Sequence, residues 1–192
     1  INDGKTLTLN KDAKLIVKGD FSNSDAEAFV INEGAQVIQN NDDVAVTFKK
    51  KIVSPTEWSN DNKTGWQFIA SPVKDAKIFD FIPETSEYDL YKYSGLNNLE
   101  WINHKDDDNT SEYVFEKTFQ QGVGYMTSYE ETSIATFKGL LNHESSFTYT
   151  LNYNENDNLS NFHLFGNPFS FDIKLSDFTS NDMVGGYAIV ND

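Results

Sequence analysis

Two stretches with the same pattern decide the fold class of this chain: Leu7-Thr8-Leu9-Asn10-Lys11-Asp12-Ala13-Lys14-Leu15-Ile16-Val17 and Phe29-Val30-Ile31-Asn32-Glu33-Gly34-Ala35-Gln36-Val37-Ile38-Gln39. They are offset by about 22 residues, a period typical of repeat proteins. In each copy apolar residues alternate with other residues on both sides of a turn, which predicts two short strands. We therefore expect two coils of a parallel β-solenoid. The alternative interpretation is a pair of unrelated hairpins.

The repeat also predicts a register. If the two copies stack as coils, Leu9 and Ile31 are expected to be buried neighbours, and Ala13 is expected to lie under Ala35. Adjacent strands of a sheet lie about 4.8 Å apart, so equivalent positions should face each other directly. Antiparallel pairing of the two stretches would favour the hairpin alternative.

A polar stretch from Gln39 to Asp43 ends the repeat region, and the alternating residues Val44 to Phe48 follow it. We place a domain boundary here, with β-solenoid-like repeats over residues 1–43 and a second domain over residues 44–192. The second domain contains many short β-branched and aromatic runs separated by Asn, Asp, Gly and Ser, typical of an antiparallel β-sandwich or jelly-roll-like domain. Only Ser24 to Phe29 and Asp172 to Phe178 are expected to form short helical turns, so the predicted class is all-β.

The composition limits the partners of the chain. Its 192 residues include 15 lysines, no arginine and 30 acidic residues, for a formal net charge of −15. This charge repels a phosphate backbone and an anionic membrane surface, so nucleic acid is not an expected partner. No apolar run approaches the roughly 20 residues needed to span a bilayer, so no membrane insertion by this fragment is expected. The lack of cysteine excludes disulfides, thiolate metal sites and cysteine nucleophiles.

Five further motifs follow one another along the second domain: Gly65-Trp66-Gln67-Phe68-Ile69-Ala70-Ser71-Pro72-Val73; Tyr88-Asp89-Leu90-Tyr91-Lys92-Tyr93 with Trp101 following; Phe119-Gln120-Gln121-Gly122-Val123-Gly124-Tyr125-Met126; Ala135-Thr136-Phe137-Lys138-Gly139-Leu140-Leu141-Asn142; and Phe165-Gly166-Asn167-Pro168-Phe169. With the repeats, they resemble the β-rich C-terminal regions of exported Bacteroidetes surface proteins. The resemblance implies an extracellular or cell-surface location and adhesin-like or scaffold use, with no catalytic residues to carry over. Such proteins usually continue into further strands and a sorting domain, so we expect the chain to be a fragment.

The sequence contains none of the common catalytic signatures. It has no His-Glu-x-x-His, Gly-x-Ser-x-Gly, phosphate-binding Gly-x-x-x-x-Gly-Lys-Ser/Thr or Gly-x-Gly-x-x-Gly motif. The three histidines, His104, His143 and His163, are isolated and not at metal-ligand spacing. A glycosidase needs only a pair of carboxylates. The chain has so many acidic residues that their presence does not distinguish a glycosidase from a non-catalytic protein. We predict that the chain is not an enzyme.

Clustered acidic residues raise the question of calcium. Asp106, Asp107 and Asp108 offer the hard oxygen ligands that calcium prefers, although the run does not match an EF-hand loop. Carboxylates this close repel each other unless water or a cation compensates them. Solvated loop tips are the preferred interpretation, and calcium is the one cofactor that the sequence leaves open.

Trp58 is the best sequence candidate for a ligand contact. Turn residues surround it, and Asn60 and Asn62 could donate hydrogen bonds to hydroxyl groups, whereas Trp66 and Trp101 lie in apolar or Tyr-rich strands typical of a core. An exposed tryptophan on a loop is expected to bind by stacking. The competing interpretation is that Trp58 covers the junction between the two domains.

These features favour a non-catalytic structural or adhesive module of a secreted or cell-surface bacterial protein. The expected partner is a protein or glycan at the cell surface. Two alternatives are a carbohydrate-binding module and an accessory domain of a secreted hydrolase.

Overall fold

A computed structural model describes residues 1, 4–58, 64–96, 99–106, 115–150 and 162–178, which are mostly β-structure. The strands in chain order are β1 (Leu7–Leu9), β2 (Lys14–Ile16), β3 (Phe29–Asn32), β4 (Gln36–Ile38), β5 (Ala45–Ile52), β6 (Gln67–Ile69), β7 (Val73–Lys74), β8 (Tyr88–Leu96), β9 (Leu99–Asn103), β10 (Tyr125–Tyr129) and β11 (Ser133–Leu141). The α-helix among them is α1 (Ile78–Phe81), and 3₁₀ turns lie at Ala26–Ala28, His104–Asp106 and Leu175–Asp177. The all-β class predicted from the sequence is confirmed.

The two copies of the repeat pair in parallel, in the predicted register. Leu9 lies opposite Ile31 in the β1–β3 ladder, and Leu15 lies opposite Val37 in the β2–β4 ladder. The intervening turns also meet, because the Gln36 amide donates to the Ala13 carbonyl at 2.9 Å. Ile31 is fully buried, but Leu9 is only half-buried because β1 is the edge strand of its sheet.

One sheet crosses the boundary that we placed at residue 43. Its strand order is β1-β3-β5-β11-β7, and β5 pairs in parallel with β3 and antiparallel with β11. The β5–β11 ladder has eight paired positions, from Ala45 opposite Leu140 to Ile52 opposite Ser133. The repeat strands are therefore hydrogen-bonded, through β5, to the antiparallel part of the chain.

A second, antiparallel sheet has the strand order β6-β10-β8-β9. An aromatic core accompanies the two sheets: Phe81 packs against Phe119, Tyr129 and Phe137, with ring centroids 4.8–5.9 Å apart. Val37, from the repeat region, belongs to the same cluster of buried residues. Aromatic pairs at these distances add to the stabilisation that burial provides.

The expected helical turns have precise counterparts. The 3₁₀ turns at Ala26–Ala28 and Leu175–Asp177 fall inside the two predicted segments. Asp25 begins the first turn, and its side chain accepts a hydrogen bond from the Glu27 amide at 2.9 Å, as expected for an N-cap. The short helix α1 was missed, because four residues show no helical periodicity. None of the helices in the described part of the chain is long and apolar enough to cross a membrane.

Candidate functional site

Trp58 is anchored to the four-stranded sheet. Its side chain is half-buried, and its indole Nε1 donates to the Ser128 hydroxyl at 3.0 Å. Ser128 lies buried in β10, and its hydroxyl in turn donates to the Thr64 carbonyl at 2.6 Å. The indole therefore joins the segment after β5 to both β10 and the start of the β6 region.

The neighbouring segment is held at two further points. The Ser54 amide donates to the Thr132 hydroxyl at 2.8 Å, and the Ser54 hydroxyl donates to the Glu130 carbonyl at 2.5 Å. Gly65, with a φ of +70°, leaves room for the Pro55 ring, which a β-carbon would approach to 2.7 Å. These contacts hold the Trp58 segment against β10 and the start of the β6 region. Asn60 and Asn62, its predicted partners in ligand binding, lie outside the described residues.

The acidic run proposed as a calcium site is described only at its start. Asp106 is exposed at the end of the 3₁₀ turn His104–Asp106, whereas Asp107 and Asp108 lie outside the described residues. Within the described ranges, no group of three His, Asp or Glu side chains is placed so that it could hold a metal ion.

A second acidic segment, residues 40–43, makes contacts within the protein. The Asp42 carboxylate lies 2.8 Å from His143 Nε2, and the Asn41 side chain accepts from the Phe21 amide and donates to the Gly19 carbonyl. Asp43 has a φ of +56°, a backbone conformation that Asp tolerates better than most residues. This segment thus connects the second repeat copy to the first and to the chain after β11.

An aromatic patch, made of Tyr149, His163 and Phe165, was not predicted from the sequence. The Tyr149 and Phe165 rings lie 5.0 Å apart edge to face, and His163 stacks near Phe165 at 6.1 Å. Tyr149 is 37% exposed and Phe165 41% exposed. The alternation of His163 and Phe165 was the only sign of this patch in the sequence. Tyr149 precedes both residues and joins them only in the folded chain.

An open cleft of about 330 Å³ lies beside this patch. It is mostly apolar, with one lysine and one asparagine in its lining, which consists of Phe48, Lys50, Phe68, Ile69, Ala70, Pro72, Gly124, Phe137, Leu164, Phe165, Gly166, Asn167 and Phe169. The lysine, Lys50, forms an ion pair with Glu33 at 3.0 Å. An apolar lining with few polar groups is suited to binding by contact rather than to proton transfer.

A buried polar group on β8 also escaped prediction. Asp89 is fully buried, and its carboxylate accepts a hydrogen bond from Asn103 Nδ2 at 2.9 Å. The Thr127 hydroxyl donates to the Asp89 backbone carbonyl at 2.8 Å. These hydrogen bonds link β8 to its two neighbours, β9 and β10, and so stabilise the four-stranded sheet.

A family model described as "Domain of unknown function (DUF8693)" matches residues 1–189. The chain belongs to the DUF8693 family. No curated protein and no solved structure matches this DUF8693 chain.

Proposed function

We propose that this DUF8693 chain is a non-catalytic structural or adhesive module of a secreted or cell-surface bacterial protein. In this proposal residues 1–43 form a short β-solenoid coil stack and residues 44–192 form an antiparallel sandwich or jelly-roll-like domain. The observation that carries it is the double role of β5, which pairs with β3 of the repeat region and with β11 of the antiparallel region. Both regions thereby share one sheet.

Sharing a sheet suits a module that bears load. The two regions are connected by the three paired positions of the β3–β5 ladder and by one hydrophobic core, instead of by a flexible linker. Tension applied to the repeat region then passes into the antiparallel region through hydrogen bonds that break together. A spacer or adhesin at a cell surface needs this stiffness, whereas an independent binding domain does not.

The structural part of the proposal is tested by unfolding. Exchange of the β3 amides reports on the coil stack, and fluorescence of Trp58, Trp66 and Trp101 reports on the rest. We expect coincident denaturant midpoints for the two probes, because the shared sheet makes the regions cooperative. A coil stack that unfolds at clearly lower denaturant would contradict a single load-bearing module.

The adhesive and non-catalytic parts need different measurements. Beads coated with the chain are expected to be retained under flow on surfaces that carry bacterial cells, glycans or matrix proteins, compared with beads coated with a Phe137→Asp core variant. Retention equal to that of the variant on every surface would contradict adhesion. Product release from a panel of polysaccharides and peptides would contradict the non-catalytic assignment.

The aromatic patch favours a second candidate, a carbohydrate-binding module. Exposed rings bind sugars by stacking and apolar contact, and neither needs a charge on an acidic protein. Tyr149→Ala and Phe165→Ala are expected to abolish glycan-array binding. Phe178→Ala is the matched control, because Phe178 is an exposed ring (54%) that does not belong to the patch. Binding that survives both patch variants would exclude this patch as the sugar site.

A further inference from the structure

The cleft beside the aromatic patch is lined mainly by rings and aliphatic groups. Five phenylalanines contribute to its wall: Phe48, Phe68, Phe137, Phe165 and Phe169. Its volume of about 330 Å³ lies at the lower end of the range for small-molecule sites, so it has room for a compact group rather than for a chain. Lys50 and Asn167 are the only polar side chains among the described residues that line it.

Phe165 connects this cleft to the aromatic patch. The next residue, Gly166, donates its amide to the Gly122 carbonyl at 3.0 Å, which fixes the backbone beside Phe165. Glycine permits this approach, because a β-carbon at position 166 would collide with the Ala70 side chain. The Phe165 ring lines the cleft and also packs against Tyr149, with ring centroids 5.0 Å apart. One ligand can therefore contact the cleft and the patch together.

The charges around this site disfavour an anionic ligand. In the cleft, Lys50 forms an ion pair with Glu33 at 3.0 Å, so a ligand carboxylate would compete with Glu33 for the lysine. At the patch, burial and the nearby charge of Glu116 raise the pKa of Tyr149. The chain as a whole carries a formal net charge of −15. A neutral ligand is therefore favoured.

The lining also limits which neutral group can enter the cleft. A sugar hydroxyl that is buried against phenyl rings without a hydrogen-bond partner is destabilising. Asn167 already makes two hydrogen bonds within the protein, because its Oδ1 accepts from the Phe169 amide and its Nδ2 donates to the Phe171 carbonyl. Lys50 Nζ is a hydrogen-bond donor only, which suits a carbonyl oxygen. An acetyl group combines one carbonyl oxygen with a methyl group that fits among the rings.

We propose that the cleft and the aromatic patch form one binding site for a neutral glycan that carries acetyl groups. The acetyl methyl contacts the phenylalanine rings of the cleft, and its carbonyl oxygen accepts a hydrogen bond from Lys50 Nζ. A neighbouring sugar ring stacks on Tyr149 and Phe165. The inference rests on the second candidate of the proposed function, a carbohydrate-binding module, and adds the class of sugar. The same acetyl chemistry occurs in N-acetylated and in O-acetylated sugars.

Pairs of oligosaccharides that differ only in acetylation test this by titration calorimetry. Chitotetraose and cellotetraose share the same linkage, and an acetamido group replaces one hydroxyl on each ring of chitotetraose. Xylotetraose with and without O-acetyl groups forms the second pair. We expect the acetylated member of at least one pair to bind at least about tenfold more tightly than the other. A preference within the first pair alone assigns an N-acetyl group, and a preference within the second alone assigns an O-acetyl group.

Variants of the full chain locate this preference in the cleft. Lys50→Met keeps the aliphatic stem and removes the donor, so the preference should fall below about threefold. Lys50→Gln keeps an N–H donor and should retain more of the preference. Lys51→Met is the matched control, because Lys51 is the exposed neighbour of Lys50 on β5 and does not line the cleft. Tyr149→Ala should weaken both members of each pair and leave their ratio unchanged.

The possible results separate the acetyl group, its location and sugar binding itself. Equal affinity within both pairs would overturn the acetyl group and leave sugar binding at the patch intact. A preference that Lys50→Met leaves unchanged would overturn the cleft as the acetyl site. If none of the four oligosaccharides binds, sugar binding is contradicted for these ligands and the inference is overturned with it. Binding of indole, which represents an aromatic side chain of a partner protein, without binding of any sugar would make a protein the occupant and would also overturn the proposal.

Discussion

Replacement of Trp58 separates a cover residue from a ligand contact. Trp58→Phe keeps a ring of similar shape but removes the indole donor that binds the Ser128 hydroxyl at 3.0 Å. A hydrogen bond of this type contributes roughly 0.5–1.5 kcal/mol to the free energy of unfolding, and the buried position of Ser128 favours the upper part of this range. We expect Trp58→Phe to lower the free energy of unfolding by about 1 kcal/mol.

Trp58→Ala should cost more. Truncation of a fully buried aromatic ring costs about 3–5 kcal/mol, and the Trp58 ring is half-buried, so about half of that loss is expected. Urea unfolding at constant m-value measures both variants. Phe178→Ala is the matched control, because Phe178 is 54% exposed and should change stability by less than about 0.5 kcal/mol.

A double-mutant cycle assigns the loss to the Trp58–Ser128 contact. Ser128→Ala alone and in combination with Trp58→Phe should show a coupling energy of at least about 0.5 kcal/mol. The reasoning is refuted if Trp58→Ala unfolds within about 0.5 kcal/mol of the unsubstituted chain and loses glycan-array binding. That result would make Trp58 the exposed contact predicted from the sequence, with Asn60 and Asn62 as its partners.

Three further outcomes are expected. Burial raises the pKa of Tyr125 and Tyr129 above the ordinary value near 10, so the unfolded state loses these protons first as the pH rises. The contribution of the two tyrosines to the free energy of unfolding is therefore fully present below pH 10. Above pH 10 it falls by about 1.4 kcal/mol per tyrosine per pH unit. Urea unfolding at increasing alkaline pH measures this, and a flat profile would show that the rings are not buried in solution. Ile31→Ala should cost about 2–5 kcal/mol and Leu9→Ala roughly half as much, because only Ile31 is fully buried; equal losses would contradict the difference in burial between β1 and β3. Calcium bound at residues 106–108 would raise the melting temperature in millimolar calcium over that in EDTA, and superimposable curves would remove calcium as a ligand.

The repeat register could be predicted because it depends on local pattern alone. Side chains of a strand alternate with a period of two, so a one-residue shift would move the apolar positions to the opposite face. The matching turn residues, Asn10 with Asn32 and Ala13 with Ala35, then fix the alignment of the two copies. The same argument predicted a strand from Val44 to Phe48. It did not predict that this strand is the next layer of the same sheet, because β5 pairs with β3 at an offset of 17 residues, not 22.

The candidate sites could be predicted only in part. The role of Trp58 as a ligand contact stays a prediction, and its hydrogen bond to Ser128, which joins positions 70 residues apart, could not be read from the sequence. The aromatic patch likewise brings Tyr149 to His163 and Phe165. Composition and spacing carry no information about such long-range contacts, because these contacts depend on which strands pair across the whole chain.

The sequence by itself determined the all-β class, the parallel repeat and its register, and the acidic charge, since each follows from local alternation or composition. Only the tertiary structure decided that β5 joins the repeat to the antiparallel region and that the second repeat copy is buried more deeply than the first. Equivalent residues such as Leu15 and Val37 look alike in the sequence, and their burial differs because it depends on the neighbouring strand rather than on the residue itself.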